Sequence, residues 1–172
     1  MRRAKNRIAL FCGLAALVIF GVAQGTRKPG LWEMTTEMTW QQSPMPPNMP
    51  APPNGRSPFG GGKHVSQVCL TQAMIDRYGA PMPQSHGGCQ ISNVVKESNS
   101  MTADWVCTGM MSGKGTVESH WSDDEHATGK IHFVGTMQMG PSPVPVEWTT
   151  ESTSVYKGAD CGSVQPMPMP EK

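Results

Sequence analysis

The sequence predicts a mainly all-β domain: an antiparallel meander that forms a curved sheet or a small barrel, with one short helix and two disulfides. Glycine and proline together make up about a fifth of the 172 residues, against roughly 12% in average proteins, and this favours short strands joined by many turns. Charged residues are only 16%, which argues against a long helix or a coiled coil. Strand-like runs also follow one another closely after residue 88, as in a meander or barrel.

The first 25 residues have the parts of a secretory signal peptide. A basic head precedes an uncharged apolar run from Ile8 to Ala23, and a second small residue follows at Gly25. We predict cleavage near Gly25. An uncleaved membrane anchor is the alternative, although about 16 apolar residues are short against the roughly 20 that span a bilayer.

Cleavage would change the charge of the chain. Ten basic and 13 acidic residues would remain, a net charge of about −3. Nucleic-acid binding depends on a basic patch or stripe, and the remaining chain has no run of lysine and arginine. The sequence therefore excludes nucleic acid as a partner.

The first strand is predicted at residues 29–40, where apolar and polar side chains alternate with the period of a half-buried strand. The apolar positions of this strand are Trp32, Met34, Met38 and Trp40. The next segment, residues 41–63, contains seven prolines and four glycines. We predict a mobile loop there.

A second strand, near residues 64–70, leads into the only predicted helix. Thr71 is a typical cap for a helix from Gln72 to Tyr78, and Gly79 would end it. Five further strands are predicted at Cys89–Lys96, Met101–Thr108, Gly115–Ser122, Thr128–Met139 and Val144–Tyr156. We thus predict one domain over residues 26–161, followed by a disordered tail at 162–172.

Four cysteines, Cys69, Cys89, Cys107 and Cys161, would remain after cleavage. An even number in an exported protein indicates disulfides. The alternative, free or metal-bound thiols, is less favoured because the chain has no C-x-x-C pair to indicate a zinc or redox site.

A hairpin selects one of the three possible pairings. With a three-residue loop at residues 97–99, and Asn99 in the left-handed conformation, Cys89 lies opposite Cys107 and within disulfide reach. Cys69 then pairs with Cys161. The same register makes one face of the hairpin largely apolar, as burial of that face requires. It places Ile91 opposite Trp105, Asn93 opposite Ala103 and Val95 opposite Met101.

The methionine content is the one unusual feature of the composition. Five methionines each precede a proline: Met45, Met49, Met82, Met167 and Met169. Thioether sulfur suits Cu(I), and we expect proline-rich flanks to hold these side chains in solvent, so they are candidate ligands for a soft metal. Core packing is the interpretation for Met34, Met38, Met137 and Met139. No cofactor is predicted.

Other chemistry has weak support. His120 and His126 flank the acidic turn at residues 123–125, and a divalent-metal site there competes with the simpler interpretation of a solvated turn. The chain has no G-x-S-x-G nucleophile elbow, and the adjacent carboxylates of Asp123 and Asp124 would point apart. Nothing combines a nucleophile, a base and an orienting group, so we do not expect an enzyme.

Several short motifs occur in a definite order. They are R-K-P-G-L-W-E at 27–33, V-C-L-T at 68–71, G-G-C at 87–89, W-V-C at 105–107 and G-A-D-C at 158–161. The set resembles the bacterial family known as domain of unknown function 3617. The resemblance implies an exported, β-rich envelope protein of Gram-negative type, and it supplies no activity and no catalytic residue.

We therefore expect a periplasmic or secreted, non-catalytic protein that binds a ligand or supports the envelope. An apolar or amphipathic ligand would lie in the mouth of a sheet lined by tryptophans, unless these side chains only fill a small core. The tryptophans are Trp32, Trp40, Trp105, Trp121 and Trp148. The runner-up is Cu(I) or Ag(I) binding by the exposed methionines. The sequence allows either an apolar ligand or an envelope component as the partner.

Overall fold

The structure, a computed structural model, describes residues 27–45, 61–83 and 88–170. The predicted signal peptide and most of the proline-rich loop lie outside the described residues. The strands are β1 (Gly30–Gln42), β2 (Gly62–Leu70), β3 (Cys89–Lys96), β4 (Ser100–Thr108), β5 (Met111–Trp121), β6 (His126–Gln138) and β7 (Pro143–Gly158), with helix α1 (Gln72–Tyr78) between β2 and β3. Among the described residues, no helix has the length and apolar character to cross a membrane.

The strands form one seven-stranded sheet in the order β2-β1-β7-β6-β5-β4-β3. All of its pairings are antiparallel. Strands β3 to β7 are a meander, and β1 then pairs with β7 rather than with β3. Since β2 and β3 form the two edges, the sheet is curled and open. The prediction of a mainly antiparallel β fold is confirmed, and the curved sheet rather than the closed barrel is its form.

One face of the sheet, which we call the inner face, carries the buried side chains. Along β5, for example, Val117, Ser119 and Trp121 are buried while the residues between them are exposed. In β4, Met101, Ala103 and Cys107 are buried, while Thr102 and Thr108 are exposed. A period of two is what a strand with one covered face requires. The inner face is therefore where the sheet contacts the rest of the chain.

Helix α1 covers one end of the inner face. The hydroxyl of Thr71 accepts a hydrogen bond from Met74 N at 3.2 Å, and Gly79, at φ 71°, donates to Ile75 O at 2.8 Å. These are the two caps that the sequence predicts. Lys96 Nζ also donates to Ile75 O at 2.8 Å, which joins the C-terminal half of α1 to edge strand β3.

Two disulfides close the fold. Cys89 is bonded to Cys107 across β3 and β4, as the predicted hairpin register requires. Cys69, at the end of β2, is bonded to Cys161, just after β7. The second bridge joins the segment entering α1 to the C-terminal end of the sheet.

The hairpin between β3 and β4 departs from the prediction after its first half. Cys89 and Ile91 lie opposite Cys107 and Trp105 as predicted, but a bulge after Ser92 shifts the pairing by one residue. Asn93, at φ 49°, is the left-handed asparagine, and Asn99 is not. The extra residue moves the later side chains of β3 to the other face.

The predicted pairs Asn93–Ala103 and Val95–Met101 are therefore wrong. Val95 lies opposite Thr102 and Lys96 lies opposite Met101. As a result Val95 is 55% exposed while Met101 is 1% exposed. The left-handed backbone is acceptable at Asn93 because asparagine tolerates it better than most residues, and its amide donates to Asp104 Oδ2 at 2.6 Å.

The segment after Cys161, predicted from sequence to be disordered, is described through residue 170. Pro166 forms a β-bridge with Cys69, and Met167 N donates to Cys69 O at 3.0 Å. Met167 and Met169 pack against the core below α1. The disulfide holds the start of this segment beside β2, and the side chains of Met167 and Met169 pack on the apolar surface there.

Candidate functional site

The inner face carries two separate hydrophobic clusters. The first, the helix-side core, lies beneath α1 and includes Trp32, Leu70, Met74, Tyr78, Met82 and Trp121. The second, the aromatic core, consists of Cys89, Cys107, Phe133, Val146 and Trp148. Trp105 and Ile131 pack against both clusters.

The five tryptophans belong to these clusters. Trp32, Trp121 and Trp148 are no more than 6% exposed, while Trp40 and Trp105 are half-buried against the aromatic core. None of the five lines the cavity described next. These contacts favour the other interpretation of the tryptophans, in which they fill a core.

A cavity of about 180 Å³ lies on the inner face of β1, β5, β6 and β7. Side chains on the sheet side are mostly small or apolar, and include Met34, Val117, Ala127, Ile131 and Ser152. The remaining wall comes from segments outside the sheet: Arg27, Pro81, Met82, Pro83 and Met167. The cavity thus lies between the sheet and the segments that precede β1, follow α1 and follow β7.

Gly129 is one reason that the cavity exists. It lies in β6 at an inner-face position and contributes to the cavity wall. A Cβ at this position would lie 2.7 Å from Ser152 Oγ, so a side chain here would displace that hydroxyl and take up part of the cavity. The neighbouring strand also presents small side chains there, because Ser152 pairs with Gly129 across β6 and β7. Gly129 and Ser152 lie between the large residues of the helix-side core and those of the aromatic core, and their small size leaves a gap there.

Arg27 is the charged residue of the cavity wall that is buried. It is 3% exposed, and its guanidinium lies 4.1 Å from the centre of the Trp32 ring. Nη1 donates to Gly79 O at 3.4 Å, whereas Nε and Nη2 are buried and have no hydrogen-bond partner among the described residues. Within the described ranges no carboxylate pairs with it. Burial lowers the pKa of Arg27 to about 10, so the side chain is still a cation at neutral pH.

The adjacent residue, Lys28, has the opposite environment. Its ammonium lies 2.7 Å from Glu125 Oε1 and 2.9 Å from Asp124 Oδ2. Hydrogen bonds to Glu125 and Asp124 raise the pKa of Lys28 above its usual value. Two consecutive cations therefore differ in that the exposed one is paired with carboxylates and the buried one is not.

The methionines predicted to bind a soft metal differ in their surroundings. Met49 lies outside the described residues, and Met45 is half-buried at the end of the first described segment. Met82 is 1% exposed, and Met167 and Met169 pack on the helix-side core. These three are thus not held in solvent by their prolines. Met82 and Met167 instead line the cavity, together with Met34.

The acidic turn between β5 and β6 is an ordinary capped turn. Asp123 Oδ1 accepts hydrogen bonds from Glu125 N at 2.8 Å and His126 N at 2.7 Å. These bonds, with that of the His126 ring, lower the pKa of Asp123. In the part of the chain that the structure describes, no group of three or more His, Cys, Asp and Glu residues is placed to hold a metal ion.

Together, these features define a small disulfide-bonded β protein with a curled antiparallel sheet and a cavity on its inner face. The sequence model of the family described as "Protein of unknown function (DUF3617)" matches residues 27–161. The chain belongs to this family, as the sequence motifs predict. No curated protein and no solved structure matches the chain.

Sequence reasoning missed Arg27 as a site residue, although it begins the first family motif. An arginine just before a strand gives no signal of burial, since arginine is mostly exposed in proteins. Its position depends on the ring of Trp32 and on Gly79, 52 residues away in the chain.

Proposed function

We propose that the chain is exported and acts as a non-catalytic binding protein that holds a small, largely apolar ligand in the inner-face cavity. The observation that carries the proposal is a cavity of about 180 Å³ between two well-packed cores, with walls that include Met34, Val117, Ile131, Met82 and Met167. Apolar concave sites with a few polar groups are typical of small-molecule binding.

The size of the cavity bounds the ligand. An engineered apolar cavity of about 150 Å³ is known to bind benzene. A cavity of about 180 Å³ accordingly fits a compact apolar group of similar size, or the end of an alkyl chain whose remainder lies outside. A folded lipid with two chains is too large to be enclosed.

Export is supported by two independent features. The first 25 residues have the pattern of a signal peptide, and two disulfides link the described cysteines, which is typical of oxidising compartments. We propose a periplasmic location in a Gram-negative-type bacterium. N-terminal sequencing of the chain from a periplasmic extract tests this, and an intact N-terminus in the cytosolic fraction would contradict it.

Binding is tested with 1-octanol as an apolar probe, by NMR chemical-shift titration of the oxidised protein. Signals of inner-face residues near Ile131 and Ser152 are expected to shift saturably. Gly129→Val, which fills the cavity, is expected to abolish the shifts. Gly158→Val is the matched control, because a Cβ at Gly158 meets nothing within 4 Å. Equal binding by the two variants, or no binding by the natural sequence, would overturn the proposal.

A soft-metal site is the second candidate, because the cavity brings together Met34, Met82 and Met167. Thioether ligands select Cu(I) and related ions. Titration with Ag(I) of the natural protein and of Met34→Leu/Met167→Leu distinguishes this candidate, since leucine keeps the apolar volume and removes sulfur. Unchanged Ag(I) affinity in the double variant would exclude this site.

A further inference from the structure

We propose that the ligand of the cavity carries an anionic head group, a carboxylate, that pairs with Arg27. This inference rests on the proposed function, and it adds the chemical class of the ligand. It starts from a buried cation in the cavity wall, two of whose nitrogens have no hydrogen-bond partner in the described part of the chain.

An isolated buried cation is unusual because charges in protein interiors are paired or fully hydrogen-bonded. Arg27 has the face of Trp32 at 4.1 Å and one long hydrogen bond to Gly79 O. The ring attracts the cation, but it offers no lone pair to an N–H group. Within the described residues, the donors on Nε and Nη2 therefore remain unused.

The positions of the two unused nitrogens indicate which acceptor would satisfy them. Nε and Nη2 lie along the same edge of the guanidinium, and Nη1, which bonds Gly79 O, lies on the other. That free edge presents two parallel N–H groups, and a carboxylate matches this fork with its two oxygens. A neutral hydroxyl or a single carbonyl would satisfy only part of it.

The rest of the cavity selects for an apolar tail. Met34, Val117, Ile131 and Met167 give it apolar walls. Glu118 and Lys130 also border the cavity, but both are exposed and lie opposite each other across β5 and β6. Arg27 is thus the cation available to a buried head group. Because Nε and Nη2 are shielded from solvent, binding requires the guanidinium to turn its free edge towards the cavity.

These features fit an aliphatic monocarboxylate. Its head group would neutralise Arg27, and its first carbons would lie between the sheet and Met82 and Met167. A ligand of this kind stabilises the cationic form of Arg27, which burial alone disfavours.

The test compares octanoate with 1-octanol, two probes with the same chain length and different head groups. Isothermal titration of the oxidised protein is expected to show tighter binding of octanoate by about tenfold or more, the usual size of a charge-assisted hydrogen bond. Arg27→Met is expected to remove this preference while octanol binding persists. Arg27→Lys, which keeps the charge and loses the two-donor edge, should have an intermediate preference.

The matched control is Arg77→Met, which removes a guanidinium from the exposed side of α1 and should leave octanoate binding unchanged. Equal affinity for octanoate and octanol in the natural protein would overturn the carboxylate inference and leave the proposed function standing. This comparison needs no variant, so it holds even if Arg27→Met does not fold. Failure of both probes to bind would overturn the proposed function itself.

Discussion

The helix-side core and the aromatic core lie on the same face of one sheet but are closed in different ways. In the aromatic core, strand residues pack on one another: Phe133 and Trp148 stack at 5.6 Å, and Trp105 meets both rings edge-on. In the helix-side core, α1 and the segments around residues 27, 82 and 167 cover the sheet. The cavity and the buried Arg27 occur only beside the second kind of closure.

Glycines show the same contrast at atomic scale. In the aromatic half, a Cβ at Gly115 would lie 2.7 Å from His132 O and 3.3 Å from the Phe133 ring, so the glycine makes room for packed atoms. Beside the cavity, a Cβ at Gly129 would approach only the movable hydroxyl of Ser152 closely. Gly115 thus allows close packing beside the Phe133 ring, whereas Gly129 keeps the space of the cavity open.

The largest expected effect separates the two disulfides. Replacing Cys69 and Cys161 by serine should lower the free energy of unfolding by about 4–5 kcal/mol, and replacing Cys89 and Cys107 by about 3 kcal/mol, because the first bridge closes the longer loop. Urea unfolding measures both. The first double variant should also weaken octanol binding, since it releases the segment that carries Met167. Equal octanol binding by the two double variants would contradict the role of that segment.

The next largest effect is a loss of stability at Gly79, the residue that ends α1. Gly79→Ala should lower the free energy of unfolding by about 3 kcal/mol, through the left-handed backbone and overpacking. Gly79 is at φ 71°, and its added Cβ would lie 2.6 Å from the Trp121 ring. Thermal unfolding measures the change, with Gly62→Ala as control, because Gly62 has a similar φ of 75° and nothing within 4 Å. A loss as large in Gly62→Ala would mean that the Trp121 contact contributes nothing.

A smaller effect is expected when glycine is replaced by alanine, and its size should differ between the aromatic core and the cavity. Gly115→Ala should lower the free energy of unfolding by about 1–3 kcal/mol because the methyl group has no room. Gly129→Ala should change it by less than about 1 kcal/mol, since the Ser152 side chain can rotate and strands disfavour glycine. Chemical denaturation of both variants measures the difference. Equal losses would show that the inner face is packed alike in both regions.

The smallest effect is a pH dependence at the turn beside the helix-side core. Hydrogen bonds from Glu125 N and from His126 hold the pKa of Asp123 below its usual 3.8. The folded state therefore gains stability from the ionised carboxylate above that value, and the gain is lost as the pH falls below it. Asp123→Asn should flatten this part of the stability profile, measured by urea unfolding between pH 2.5 and 6 in steps of about half a unit. An unchanged profile would exclude Asp123 as its source.

Much of the scaffold was predictable because its signals are local. Thr71 and Gly79 bound α1 through short-range capping, and β3 and α1 have the predicted limits. The pairing of Cys89 with Cys107 follows from a short hairpin whose first half keeps the simple register. The bulge at Asn93 was not predictable from alternation, since a single left-handed residue changes the face of every side chain after it.

The candidate site was not predictable in the same way. Arg27, Gly129, Met82 and Met167 come from four distant parts of the chain, and none has a local pattern that marks it. The five tryptophans are easy to find in the sequence, but they pack in or against the two cores. The empty space results instead from small residues that lie between them.

By itself the sequence determined the class of the protein: its strands, helix α1, its cysteine pairing and its family. Alternation, caps and short loops act between near neighbours, so they can be read along the chain. The tertiary structure alone decided which methionines and which arginine become buried, and where the inner face stays unfilled. Burial and vacant volume depend on segments that meet only after folding, and no local pattern encodes them.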